Sequence, residues 1–203
     1  MNTRQIILAG GGNEQQSFRV DEFFFSHIPK NGTILYIPVA LRGHKLFESS
    51  QEWFQNLLRL HKREDIKIIP VKHFDKEMFN RDIDAIYIGG GNTWNLLKEI
   101  YESEVYDILI EKIKFGILTY GGSAGAIILG GDISKNPDLQ GKEINYDKGL
   151  NLLDGYSVVP HANSVDLSDP NILYSKTIAL PEDSGVFVTD KGISTISGEP
   201  YIS

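Results

Sequence analysis

The sequence predicts an α/β protein with three layers, in which helices cover both faces of a mainly parallel sheet. Short β-branched runs alternate with longer stretches whose apolar residues recur at helical spacing. The strand-like runs are nearly continuous in apolar residues, which is typical of parallel strands buried on both faces. No repeat or linker interrupts this alternation, so we expect residues 1–203 to form a single domain.

The first half of the chain supplies three strands and two helices. "QIILAGGG" (5–12) is a buried strand that ends in glycines, and "NEQQSFRVDEFFFSHI" (13–28) carries phenylalanines at helical spacing. "GTILYIPVA" (32–40) is a second strand, and the amphipathic residues 45–64 form a second helix. "IKIIPV" (66–71) is a third strand.

The middle of the chain continues the pattern. "IDAIYIGGGN" (83–92) predicts a fourth strand, and residues 93–116 have helical periodicity. We expect this helical segment to break near Ser103, whose hydroxyl can cap the start of a second helix. "GILTYGGS" (116–123) is the fifth strand.

The last third of the chain has a different character. Residues 130–149 are polar and rich in turn residues, which predicts a long loop or a lid. "GYSVVPHANS" (155–164) is a strand that ends in a histidine. Residues 177–200 alternate short strands with turns at "EDSG" and "DKG", which predicts a C-terminal β meander.

The composition limits the classes of function. Hydrophobic residues make up 41% of the 203 residues, and the formal net charge is -7. This charge and the scattered basic residues argue against nucleic-acid or anionic-membrane partners. Since there is no cysteine, disulfides, thiolate metal sites and a cysteine nucleophile are excluded. No apolar run approaches the roughly 20 residues that span a bilayer, and no signal segment is evident, so we expect a cytoplasmic protein.

Three glycine-rich segments lie at the predicted carboxyl ends of strands, where α/β proteins bind ligands. They begin at Gly10, Gly89 and Gly121. The first two do not match the dinucleotide motif, because Gln15 and Trp94 stand where its third glycine would be, and there is no phosphate-binding P-loop. Without a metal-binding motif either, we expect neither a cofactor nor a metal.

The third segment, "GGSAG", matches the nucleophile-elbow pattern G-x-S-x-G around Ser123. In such an elbow a sharp strand-to-helix turn projects the serine, and Gly121 and Gly125 leave the space that the turn requires. The backbone N–H of Ala124 would then point towards a developing oxyanion. The alternative is an ordinary glycine-rich turn between a strand and a helix.

A serine nucleophile needs a base and an acid. Of the five histidines, His161 is the best candidate for the base, because it ends a late strand at the same sheet edge. A capped loop histidine is the alternative. An acid must orient the imidazole, and Glu182 and Asp183 follow a strand that could bring them to His161. The other acids after the elbow are Asp132, Asp138, Asp166 and Asp169.

Four motifs together resemble the peptidase E group of serine peptidases, family S51, which includes the cyanophycinases. They are "YIGGGNT" (87–93), "GGSAGA" (121–126), "VPHANS" (159–164) and "ALPEDS" (179–184). The resemblance implies a flavodoxin-like sheet related to the class I glutamine amidotransferases, with serine in place of their cysteine. It also implies a Ser-His-Glu triad at Ser123, His161 and Glu182, with Asp183 as the fallback acid.

The resemblance implies further roles around the triad. The oxyanion donors would be the N–H groups of Gly90 or Gly91 and of Ala124. The expected substrate-binding residues, which lie within these motifs, are Asn92, Thr93 and Asn163.

The family is best known for hydrolysing dipeptides with an N-terminal aspartate, whose side chain would need a cation. No arginine follows Arg81 in this sequence. The candidate cations are therefore Arg19, Arg42, Lys135 and Lys176.

We therefore hypothesise a serine peptidase acting on short peptides by acyl transfer to Ser123. We expect a small peptide partner, no nucleic acid and no membrane, and we allow for a homodimer. The alternative is a catalytically inactive module of the same fold that binds a small metabolite. An amidotransferase-like domain is a third hypothesis, which the missing cysteine disfavours.

Overall fold

The structure is a computed structural model that describes residues 3–142, 148–169 and 172–203. Residues 143–147 of the segment predicted as a loop or lid lie outside the described residues. The described helices are α1 (Phe18–Ser26), α2 (Leu46–Leu60), α3 (Lys76–Phe79), α4 (Thr93–Glu102), α5 (Tyr106–Lys114) and α6 (Ala124–Leu129). The described strands are β1 (Ile6–Ala9), β2 (Thr33–Ile37), β3 (Lys67–Pro70), β4 (Ala85–Ile88), β5 (Leu118–Gly122), β6 (Ser157–Pro160), β7 (Thr177–Leu180), β8 (Gly185–Thr189), β9 (Gly192–Ser197) and β10 (Tyr201–Ile202).

The central sheet has seven strands in the order β3-β2-β4-β5-β1-β8-β9. The first five strands of this order are parallel, whereas β8 and β9 extend the sheet with antiparallel pairs. The predicted α/β class with a mainly parallel sheet is confirmed. Because β4, β5 and β1 are parallel neighbours, their carboxyl ends meet at one edge of the sheet, where ligands bind in folds of this class.

The C-terminal strands are divided between two sheets. β8 and β9 form the hairpin expected of a meander, but β7 pairs with β6 and β10 in a separate three-stranded sheet. The pairing of β6 with β7 is parallel, and it aligns Pro160 with Leu180 at the ends of the two strands. The residues that follow β6 and β7 therefore leave the small sheet side by side.

Two apolar layers enclose the central sheet. Along β1, Ile6 and Leu8 face one buried cluster, and Ile7 and Ala9 face the other. The first cluster includes residues of α4, α5 and α6, and the second includes residues of α1 and α2. This alternation is the period of two that a strand imposes, applied to a strand whose two faces are both covered.

Two predicted helix boundaries differ from the structure. Residues 13–17 form a turn instead of the start of α1, because the Asn13 side chain accepts the backbone N–H groups of Gln15 and Gln16. The predicted break near Ser103 is confirmed, but the expected cap is wrong. The Ser103 hydroxyl donates to the carbonyl of Ile100 at the end of α4, and α5 starts three residues later without a side-chain cap.

A carboxyl group is buried between α1 and β5. Asp21 is 1% exposed and accepts hydrogen bonds from the Tyr120 hydroxyl and the Ser17 hydroxyl, both at 2.7 Å. Burial raises the pKa of Asp21 to about 6, although the hydrogen bonds from Tyr120 and Ser17 oppose the shift. The Tyr120 ring stacks on Tyr87 of the neighbouring strand at 4.3 Å between centroids.

Helix α6 lies against the end of β4 at a contact that only glycine permits. A Cβ atom on Gly125 would lie 2.2 Å from the carbonyl oxygen of Ile88. Close approach of two backbones is one of the uses of a glycine inside a regular element.

No described helix is both long enough and apolar enough to cross a membrane.

We expect Gly125→Ala to destabilise the protein, even though alanine is the better helix former. Relief of the overlap with Ile88 must move α6 or β4, which we expect to cost about 2 kcal/mol of unfolding free energy. Urea denaturation measures this cost. Gly89→Ala is the matched control, because its Cβ would lie 3.5 Å or more from any neighbour. Equal stability of the two variants would contradict the contact.

We expect the contribution of Asp21 to the stability of the protein to fall as the pH rises from about 4 to 7, through its raised pKa. The unfolded chain ionises this carboxyl near its ordinary pKa, whereas the folded chain must ionise it while buried. Asp21→Asn does not titrate, so its stability relative to wild type should increase by about 3 kcal/mol over this interval. Urea denaturation at four pH values measures the difference. Glu22→Gln, at an exposed position of α1, controls for the lost charge; parallel pH profiles for wild type and Asp21→Asn would contradict the prediction.

Candidate active site

The sheet edge at the carboxyl ends of β1, β4 and β5 carries all three glycine-rich segments. Residues 10–12 follow β1, residues 89–91 follow β4, and Ser123 directly follows β5. The ends of β6 and β7 bring His161 and Glu182 to the same place. The parallel topology therefore assembles residues that are far apart along the chain.

Ser123 stands at the apex of the turn between β5 and α6 in a strained conformation. Its φ is 48° and its ψ is -110°, values that a non-glycine residue seldom adopts. Its N–H donates to the carbonyl of Ala9 at 3.2 Å, which ties the turn to β1. A Cβ on Gly121 would lie 2.7 Å from the carbonyl oxygen of Gly125. The predicted need for glycine on both sides of Ser123 is confirmed.

His161 lies between the serine and an acid. Its Nε2 atom is 2.9 Å from the Ser123 hydroxyl, and its Nδ1 atom is 3.0 Å from Oε1 of Glu182. The residue has a left-handed backbone, with φ of 53°, and its N–H donates to the carbonyl of Gly10 at 2.9 Å. The three side chains form one hydrogen-bonded row.

Glu182 is the acid that contacts His161, and Asp183 is not. The hydrogen bond with His161, followed by one from Gln16, lowers the pKa of Glu182 below its ordinary value. Asp183 is exposed, and its backbone carbonyl accepts a hydrogen bond from the Ser197 hydroxyl. Other candidate acids are engaged elsewhere: Asp132 and Asp166 accept from their own loops, and Asp138 accepts from α4.

The residues expected to supply the oxyanion donors lie near the serine. Ala124 is the first residue of α6, and a Cβ on Gly90 would lie 3.2 Å from the Ser123 Cβ. Gly91, with φ of 136°, packs so tightly that its Cβ would lie 2.4 Å from the carbonyl oxygen of Ala40. A side chain at Gly91 would displace the loop that runs past the nucleophile, and one at Gly90 would crowd the Ser123 side chain.

The three expected substrate-binding residues have different surroundings. Asn92 caps α4 by accepting the N–H of Asn95, and Asn163 accepts the N–H of Glu182. Thr93 alone of the three lines the cavity beside Ser123. It is 1% exposed, and its hydroxyl has no hydrogen-bond partner among the described residues.

A cavity of about 430 Å³ opens beside Ser123 and His161. The segment predicted as a lid supplies one wall, through a short 3₁₀ helix (Pro137–Leu139). The lining residues are Gly91, Thr93, Ser123, Ile127, Lys135, Asn136, Pro137, Asp138, Val158, Val159, Pro160, His161, Val165, Ile172 and Tyr174. Mostly apolar walls with a few polar groups are usual for a small-molecule site.

Charged groups in this cavity are few. Asp138 accepts the backbone N–H of Thr93 at 2.7 Å, so a carboxylate already lies at the start of α4. Lys135 is the one lysine or arginine among the lining residues; its ammonium donates to the carbonyl of Leu173 and lies 5.2 Å from the centre of the Tyr174 ring. Of the other candidate cations, Arg42 pairs with Glu99, and Lys176 donates to the carbonyl of Asp154.

Sequence reasoning missed Gln16, whose side-chain amide donates to Oε2 of Glu182 at 2.6 Å. Gln16 directly follows "GGGNEQ" (10–15), and no local pattern in the sequence links it to Glu182. A larger depression of about 690 Å³ lies at the opposite edge of the sheet, beside Phe115 and Gly116. Within the described part of the chain, no three His, Asp or Glu side chains cluster in a way that could hold a metal ion.

Comparisons with known proteins agree on the family. The family model for Peptidase family S51 matches residues 6–200. The protein named Peptidase E from Haemophilus influenzae (strain PittGG) is 30% identical over 82% of this chain and 75% of its own length. A Drosophila melanogaster protein named "Probable alpha-aspartyl dipeptidase" is 31% identical, over 53% of this chain and 43% of its own length.

The fold is also found among solved structures. A peptidase from an acI-B1 Actinobacterium superposes with a TM-score of 0.72 at 19% identity, over 98% of this chain and 97% of that one. The likeness extends along both chains and concerns the fold. Because the family model covers almost the whole sequence, the chain belongs to peptidase family S51, a family of serine peptidases.

Proposed function

We propose that this chain hydrolyses short peptides by acyl transfer to Ser123. The observation that carries the proposal is the row of hydrogen bonds from the Ser123 hydroxyl through His161 to Glu182, at 2.9 and 3.0 Å. These distances suit a nucleophile, a general base and an acid that orients the base. A serine that only bound a metabolite would require neither the imidazole nor the acid.

The reaction has two halves. Ser123 attacks the scissile carbonyl while His161 accepts the hydroxyl proton, and His161 then donates that proton to the leaving amine. Water attacks the acyl-serine in the second half, with His161 again as the base, and the carboxylic acid product leaves. Glu182 holds the imidazole in the tautomer with a proton on Nδ1 and stabilises the imidazolium that forms in each half.

The backbone around Ser123 provides the groups that an oxyanion would need. We assign the N–H of Ala124, with that of Gly90 or Gly91, to this task, because both segments pass directly beside the serine. In comparable enzymes one such donor contributes about 3–4 kcal/mol of transition-state stabilisation. The strain at Ser123 serves the same purpose, because it fixes the hydroxyl and the N–H of Ala124 before substrate arrives.

We propose dipeptides as the substrate class. The cavity of about 430 Å³ is of the size that small-molecule sites have. Relatives carry the names Peptidase E and alpha-aspartyl dipeptidase. In this chain Lys135 is the lining cation that could meet an aspartyl side chain, while Ile127, Val158 and Ile172 offer apolar walls. We therefore expect cleavage both of Asp-X dipeptides and of dipeptides with an apolar first residue.

Ser123→Ala should abolish turnover and labelling by a fluorophosphonate probe, because the hydroxyl that attacks both is removed. We expect hydrolysis to fall by at least about 10³-fold. Gel-based labelling and a dipeptide assay measure the two effects. Ser134→Ala, an exposed serine in the loop that lines the cavity, is the control. Equal labelling of wild type and Ser123→Ala would exclude Ser123 as the nucleophile and favour a binding module.

Lys135→Met should raise KM for Asp-Leu by at least about tenfold while leaving Leu-Leu almost unchanged, because it removes one charge-assisted contact. Steady-state kinetics on the two dipeptides measure the split. Lys142→Met is the matched control: its ammonium lies over the Trp94 ring, and it is not among the cavity residues. A loss of the same size for both dipeptides would show that Lys135 supports the loop instead of reading the substrate.

A further inference from the structure

We infer that Gln16 is a positioning residue of the peptidase site, which holds Glu182 and through it His161. The inference rests on the proposed function, and it assigns a role to the turn that follows the first glycine-rich segment. Gln16 contacts neither Ser123 nor the cavity beside it. Its action must therefore pass through Glu182.

The side-chain amide of Gln16 uses both of its ends. Its Nε2 atom donates to Oε2 of Glu182 at 2.6 Å, and its Oε1 atom accepts the backbone N–H of Asn13 at 3.0 Å. Glu182 needs a donor, and the Asn13 N–H needs an acceptor. An uncharged amide supplies both, whereas a carboxylate would face Glu182 with a like charge and leucine would supply neither.

Glu182 needs such support because its own side chain is not enclosed. The side chain is 30% exposed, and a glutamate has three rotatable torsions that solvent would leave free. One carboxylate oxygen meets His161, and the other meets Gln16. Asn163 adds a third restraint, because it accepts the backbone N–H of Glu182 at 3.2 Å. With both oxygens engaged, the carboxylate plane is fixed relative to the imidazole.

Gln16 is itself held by a compact turn. The Asn13 side chain accepts the N–H groups of Gln15 and Gln16 at 3.1 Å, and the Asn13 carbonyl accepts that of Ser17 at 3.0 Å. The Ser17 hydroxyl lies 2.7 Å from the buried Asp21. The turn is thus anchored to α1, and Gln16 is a rigid partner for Glu182.

The glycines that precede this turn pack closely against the side chains of the site. Gly11 has φ of +100°, and a Cβ there would lie 2.4 Å from Cε1 of His161. A Cβ on Gly12 would lie 2.8 Å from Oε1 of Gln16 and 3.0 Å from the Cβ of Glu182. The segment is glycine-rich because an imidazole, a carboxylate arm and an amide occupy the space beside it.

Gln16→Leu and Gln16→Glu test the inference, with Gln15→Leu as the matched control, since Gln15 is exposed and adjacent. The rate constant of fluorophosphonate labelling reports the activation of Ser123 without a chosen substrate, and dipeptide kinetics separate kcat from KM. We expect Gln16→Leu to lower the labelling rate and kcat by about tenfold, with KM within about twofold of wild type. Gln15→Leu should match wild type.

The pH profile distinguishes positioning from a structural role. Gln16→Glu keeps the shape of the side chain and the acceptor for Asn13, but it places a second carboxylate beside Glu182. The added negative charge favours the protonated imidazole, so the acidic limb of the labelling-rate profile should move to higher pH by about half a unit or more. Loss of stability alone would lower the amount of active enzyme without moving that limb.

Wild-type rates and an unshifted profile in both Gln16 variants would overturn the inference. If Gln16→Leu does not fold, Gln16→Glu decides by the same profile. The proposed function fails separately, if wild type and Ser123→Ala label equally. Labelling that depends on Ser123 but not on Gln16 would remove the positioning role and leave the peptidase intact.

Discussion

The site depends on one constraint, the strained, positive-φ backbone of Ser123 directly after β5. With φ of 48°, this residue turns the chain sharply. Helix α6 therefore begins at the next residue, and the Ser123 hydroxyl projects from the sheet edge. The reversal brings α6 within contact of β4, where the Gly125 position touches the carbonyl of Ile88. Strain of this kind persists because the surrounding packing over-determines it. The packing around the sheet thus holds the Ser123 hydroxyl in a position that an isolated turn would not keep.

From this residue a closed path of hydrogen bonds runs through the site and back into the core. The path passes in order through Ser123, His161, Glu182, Gln16, Asn13, Ser17, Asp21 and Tyr120, and Tyr120 lies in β5, the strand directly before Ser123. The half-buried triad is therefore connected to a buried carboxyl group whose pKa is raised by burial. A group that is costly to ionise is retained there with a donor on each oxygen, which is the condition for burying a carboxyl at all.

Sequence reasoning predicted the parts of this arrangement that local pattern determines. Apolar runs located the strands, and the G-x-S-x-G spacing located Ser123, because a sharp turn restricts the residues on both sides of it. The contacts of Gln16 and Asn163 with Glu182 could not be predicted, since the side chains of Gln16 and Asn163 reach a residue 166 and 19 positions away along the chain. The division of β7 and β8 between two sheets depends on long-range pairing, which the alternation of short strands does not encode. Ser103 was expected at the wrong end of the break because a serine hydroxyl can bond either to the following N–H groups or to a preceding carbonyl.

The three glycine-rich segments show why glycine at a sheet edge is weak support for a nucleotide site. Gly125 and Gly121 permit two backbones to touch, and Gly91 permits a loop to pass Ala40 with φ of 136°. Gly11 instead makes room for the imidazole of His161. In each case the missing Cβ would meet an atom of the protein itself, so the space that these glycines leave is already filled. The selection for glycine then follows from crowding where parallel strands converge, and it needs no phosphate to account for it.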